Sequence, residues 1–122
     1  MRSRPGSGKT AGVTDLRAAA HEHIERFNDA VRSGDYAPFL ATFAQDAVMR
    51  FTNVPVGPYH GLDAIRRAYA EQPPTDTMSV RSIEDVDPAT AAVAFDWDSG
   101  GPGTMTLCWR DGELAELTIS FD

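Results

Sequence analysis

From Ala91 onward the chain alternates in a way few folds can use. Val93, Phe95 and Trp97 stand against Ala94, Asp96 and Asp98, and Met105, Leu107 and Trp109 stand against Thr106, Cys108 and Arg110. Leu117, Ile119 and Phe121 then alternate with Glu116, Thr118 and Ser120. Neighbouring side chains on a strand point to opposite faces, so a period of two marks strands with one dry and one wetter face. Ser99-Gly100-Gly101-Pro102-Gly103 reads as a loop between the first two runs. Asp111-Gly112 is a strong hairpin signal between the last two. Met78 to Val86 is a further strand, turned at Asp87-Pro88. Residues 78–121 therefore predict an antiparallel meander.

Upstream of Pro73-Pro74 the period changes. Thr14 or Asp15 can cap a helix that runs to about Ser33, with Gly34 as its stop. Leu16, Ala20, Ile24, Phe27 and Val31 recur at helical spacing and form its buried stripe. His21 and His23 are two apart, so on a helix they point roughly 200° from one another and cannot grip one metal ion. Both are expected at the surface. Asp35 can cap a second helix reaching Phe43, with Tyr36, Phe39 and Leu40 turned inward. Residues 46–74 follow as a strand (Val48, Met49, Phe51, Val54), a loop rich in Gly and Pro, and an amphipathic helix (Leu62, Ile65, Ala68, Tyr69). Helices first and strands last is an α+β order, with helices packed on one face of a sheet.

The totals narrow the function. A chain of 122 residues with 42% hydrophobic content is one globular domain. A formal charge of -7 argues against nucleic acid, whose phosphates need clustered Lys and Arg. One cysteine excludes an internal disulfide and fits a reducing compartment, so a cytoplasmic protein is expected. No segment approaches the ~20 apolar residues of a membrane helix. Residues 1 to 13 read as a flexible arm. The run Gly6-Ser7-Gly8-Lys9-Thr10 has the end of a phosphate loop, but Ser3 stands where that motif needs its first Gly. No cofactor and no metal site are expected.

The succession SGDY, DAVMRF, GPYHG, LDAI and the closing WRDGELAELTISF resembles the SnoaL-like branch of the nuclear-transport-factor-2-like superfamily over residues 16–122. That resemblance implies a cone of three helices packed on a strongly curved mixed or antiparallel sheet of cystatin-like type. It also implies a homodimer through the sheet, for which the small residues Ala94, Thr106, Cys108 and Thr118 are suited. The superfamily includes ketosteroid isomerase, polyketide cyclases and non-catalytic members. Carried over residue by residue, the isomerase's tyrosine falls on Phe27, its general base on Phe51, and its protonated carboxyl on Met105 or Leu107. None can move a proton.

The expected role is therefore binding of a small apolar molecule in a conical cavity. Its wall would comprise Phe27, Phe51, Phe95, Trp97, Leu107, Trp109 and Ile119, with Asn53 and Tyr59 at the rim. The alternative is an isomerase- or cyclase-type enzyme on a steroid- or polyketide-like substrate, with His60 as an unfamiliar base. A third possibility is a dimeric interaction module whose interior is filled by its own side chains. Asp96 and Asp98 lie opposite Trp97 and read as solvated. Cys108 has no histidine placed to activate it.

Overall fold

The computed structural model describes residues 15–121, so the arm at 1–13 and the Gly6–Thr10 run lie outside the described residues. Asp15 caps the first helix, α1 (Leu16–Ser33), its carboxylate accepting the Ala18 amide at 3.0 Å. Gly34 ends that helix at φ 80°, a left-handed conformation that costs glycine nothing, and its amide closes on the Ala30 carbonyl. Leu16, Ala20, Ile24 and Phe27 are buried as the helical spacing predicts. The last turn buries Ala30 and leaves Val31 half-buried.

The second helix, α2 (Ala37–Leu40), is shorter than expected. Asp35 does take the Ala37 amide, but the Thr42 hydroxyl bonds back to the Phe39 carbonyl and closes the segment. Phe43 then opens the first strand, β1 (Phe43–Thr52), instead of ending a helix. The competing force is long-range: Phe43 pairs with Leu114, whose amide also donates to the Thr42 carbonyl. The Gly- and Pro-rich loop holds a short strand, β2 (Tyr59–His60), paired antiparallel with Val48 and Met49. Next come α3 (Leu62–Glu71), β3 (Met78–Asp87), β4 (Thr90–Trp97), β5 (Pro102–Arg110) and β6 (Glu113–Phe121).

The six strands form one mixed sheet in the order β2-β1-β6-β5-β4-β3. Only β1 and β6 run parallel; every other pair is antiparallel. The β5–β6 turn has Asp111 and Gly112 both at positive φ, 55° and 81°, the geometry a two-residue hairpin requires. Register shifts within β3 and β6 pairings bend the strands, and the sheet curves around the helices without closing.

The alternating faces fall as the sequence predicts. Val93, Phe95, Met105, Leu107, Leu117 and Ile119 are buried under the helices. Ala94, Thr106, Cys108 and Thr118 are half-buried on the outer face. Asp96 pairs with Arg81 at 3.2 Å, and exposed Asp98 accepts hydrogen bonds from Thr77 and Ser79 that hold its carboxyl below the usual carboxylate range. Two polar clasps tie α1 to the edge strand β3. Asn28 both donates to the Met78 carbonyl and accepts the Met78 amide, each at 2.9 Å, and Arg17 donates to the Ile83 carbonyl at 3.2 Å. No described helix is long and apolar enough to cross a membrane.

Candidate functional site

Between the helices and the concave sheet face lies a cavity of about 170 Å³. Its walls are apolar: Met105, Leu117 and Ile119 come from the sheet, Phe27 from α1, and Met78 from the start of β3. One end is closed by a row of rings. Phe51 stacks on Phe121 with centroids 6.0 Å apart, and Phe121 stacks on Trp97 at 6.1 Å. These three rings are half-buried while the walls behind them are buried, so this end is the mouth, with Pro74 beside it.

The row depends on a glycine. Gly103 of β5 sits between Phe121 of β6 and Phe95 of β4 in register. A Cβ there would meet the Phe95 ring at 2.4 Å. The missing side chain lets Phe95 lie across β5, where it meets Trp97 edge-on at 5.4 Å. Trp97 can then reach over β5 to Phe121.

The other end carries the polar groups. His23 lines the cavity from α1 and is only 6% exposed. It packs against Phe39 at 5.1 Å and Phe43 at 6.1 Å, so it stands near the start of β1 while Phe51 stands near its end. Burial pulls its pKa down to about 4, so the imidazole is neutral at pH 7. Tyr69 of α3 also lines the cavity, and its hydroxyl meets the Met49 sulfur at 3.5 Å. Burial, and then the nearby Tyr36, push its pKa up, so it remains a neutral donor. Tyr69 stacks on Tyr36 at 5.2 Å and meets Phe39 edge-on at 5.5 Å. His23 and Tyr69 therefore flank one phenyl ring.

Expectation and structure part company here. His23 was expected at the surface beside His21; His21 is exposed, but His23 is in the cavity. The helical repeat carried the signal, since His23 lies three residues after Ala20 and four before Phe27. Of the expected wall, Phe27, Phe51, Trp97 and Ile119 line the cavity. Phe95 and Leu107 are buried behind it, and Trp109 instead borders an outer cleft with Ala19, Glu22, His23, Thr42 and Gly112. Asn53 is exposed at φ 73° and spends its amide on the Phe121 carbonyl at 2.8 Å. Tyr59 packs edge-on against Phe51 and lines a separate groove with Arg67 and Glu71. His60 is exposed on β2 and is not part of the cavity wall. Among the described residues, no three His, Cys, Asp or Glu side chains gather as a metal ion would need.

A family model for the SnoaL-like domain matches residues 24–116. The chain belongs to the SnoaL-like family. This SnoaL-like domain is similar in fold to a Bacillus subtilis protein provisionally named an isomerase, at 14% identity and TM-score 0.72 over 89% of this chain and 90% of that one. A Sinorhizobium meliloti protein provisionally named a polyketide cyclase matches at 24% identity and TM-score 0.61, covering 80% and 93%. A Mycobacterium tuberculosis protein, RV0760c, solved in complex with estradiol-17beta-hemisuccinate, matches at 15% and TM-score 0.65, covering 84% and 93%. Identities this low establish the shared fold and nothing about the ligand. No curated protein matches the sequence.

Proposed function

We propose that this SnoaL-like domain binds a small, mostly apolar molecule in the cavity, admitted past Phe51, Trp97 and Phe121. The observation that carries the reading is the cavity itself, an apolar space whose titratable side chains, His23 and Tyr69, are both neutral. Sites for drug-sized ligands run from about 300 Å³ upward, whereas an apolar cavity of roughly 150 Å³ holds benzene. At about 170 Å³ this cavity suits a single ring or short chain. A four-ring steroid, such as the one on RV0760c, would need the aromatic mouth to open. Native mass spectrometry of freshly purified protein, followed by NMR titration with toluene, tests this. Toluene shifting resonances of Leu117 and Ile119 is expected; no retained molecule and no shift would sink it.

An isomerase- or cyclase-type activity is the second reading, and His23 is the observation behind it. A base whose conjugate acid has a pKa of about 4 is weak at neutral pH, and among the described residues no carboxylate lines the cavity. Binding fits these groups better. The outer face, with Ala94, Thr106, Cys108 and Thr118, supports a homodimer through the sheet, which light scattering at micromolar concentration tests. A reducing, cytoplasmic setting is proposed from the single, free Cys108.

A further inference from the structure

We propose that the His23 imidazole is the recognition point of the cavity, and that the molecule it selects is a small neutral ring compound bearing one hydroxyl group, a phenol or cyclic alcohol. The inference rests on the binding reading above and adds the chemistry of the ligand.

Besides Tyr69 and Trp109, His23 is the one buried side chain in the described core that carries a polar group. Its close contacts are the rings of Phe39 and Phe43, and among the described residues neither of its nitrogens meets a hydrogen-bond partner. Buried polar groups are nearly always satisfied, so an unpaired imidazole against a cavity points to something that pairs it. The ring also borders the outer cleft beside Glu22 and Thr42. It therefore touches two spaces, and the ligand need satisfy only one of its nitrogens.

Chemistry narrows the ligand. A neutral imidazole has one N–H and one bare lone pair, and the tautomer decides whether the nitrogen facing the cavity donates or accepts. A hydroxyl both donates and accepts, so it suits either case. A hydrocarbon leaves the nitrogen unpaired. A carboxylate would be buried with no cation among the described residues of the cavity wall. The volume admits one ring, and Phe27, Met105 and Ile119 would hold it. The Tyr69 ring lines the same space, and its hydroxyl meets the Met49 sulfur, a weak acceptor.

The test compares toluene and phenol, equal in size, and the somewhat larger benzoate by NMR titration at pH 7 against the full chain and His23→Leu. In the unaltered protein phenol is expected to bind about tenfold more tightly than toluene, and benzoate weakest, since one satisfied hydrogen bond is worth about that factor. In His23→Leu the preference for phenol disappears while toluene binds as well or better, which also shows the variant is folded. Nitrogen-15 shifts of His23 provide a measurement without substitution: phenol moves one ring nitrogen toward a hydrogen-bonded value and toluene does not. Equal affinities for phenol and toluene, unchanged in His23→Leu, would overturn the role of His23 while leaving cavity binding intact. Benzoate binding most tightly would overturn the ligand class. Binding of none of the three would remove both.

Discussion

The loop from Asn53 to Gly61 and the middle of α1 offer the same kinds of polar side chain and use them in opposite ways. The loop holds Asn53, Tyr59 and His60 in a cluster that reads like a site. Yet Asn53 bonds the chain, Tyr59 faces a groove, and His60 meets solvent. The buried stripe of the helix holds one histidine, His23, with no polar neighbour in that stripe, and it is the one that reaches the cavity. A loop lets a polar group turn to water, whereas a helix fixes each side chain's direction by its position. A polar residue on a buried helical stripe therefore says more about a site than a polar cluster in a loop.

The comparison breaks most visibly at Phe39, the ring shared by His23, Phe27, Tyr36, Phe43 and Tyr69. Phe39→Ala is expected to cost about 3–5 kcal/mol in urea unfolding, since Phe39 is 1% exposed and leaves a cavity. A cost under 1 kcal/mol would mean the helix side is not rigid.

Next in size is the pH response of His23. Its folded pKa of about 4 lies below the ordinary imidazole value of 6.5, so between these values the unfolded chain binds more protons and stability falls with acidity. The stabilisation is present in full above pH 6.5 and lost on the way to pH 4. The titratable groups sharing its two spaces are Glu22 outside and Tyr69 inside. The loss amounts to roughly 3 kcal/mol at 1.36 kcal/mol per pKa unit, and His23→Leu should flatten that part of the curve. An identical curve for the variant would contradict it.

Asn28→Ala removes both bonds to Met78 and strands two backbone groups, for an expected loss of about 1–3 kcal/mol by thermal or urea unfolding. Smallest is His60→Ala: exposed, outside the cavity, it should change stability by less than about 0.5 kcal/mol and leave toluene affinity unaltered. A tenfold loss of affinity there would return the site to the loop.

Much of the fold is legible because strand alternation and hairpin chemistry are local. Asp111-Gly112 announces its turn, and the register that puts Phe95 inside follows from the residues beside it. What is hidden depends on distant partners. Phe43 reads as the end of a helix until Leu114 pairs with it, and Tyr59-His60 reads as loop until Val48 and Met49 lie alongside. The cavity's wall was partly legible, since Phe51, Trp97 and Ile119 share the sheet's dry face and Phe27 lies on the buried stripe of α1. Its small size was not, because volume is set by how Phe95 crosses Gly103 and how Phe39 fills the space below. His23 was readable in principle from its spacing, but its polarity argued for water and concealed it.

The placement of β6 has a consequence for the order of assembly. The last strand in sequence lies in the middle of the sheet, between β5 and β1, and it alone joins the two. Until it docks, β1 and β2 have no link to the meander, and closing that gap brings together residues such as Arg50 and Glu116, 66 positions apart. Pairings this non-local place a domain among the slower two-state folders. The three rings at the mouth come from β1, β4 and β6, so the mouth exists only after that closure. A molecule held behind it would leave the folding rate almost untouched and slow unfolding instead. Ligand binding would thus appear first as kinetic persistence, in resistance to proteolysis and in a longer native lifetime.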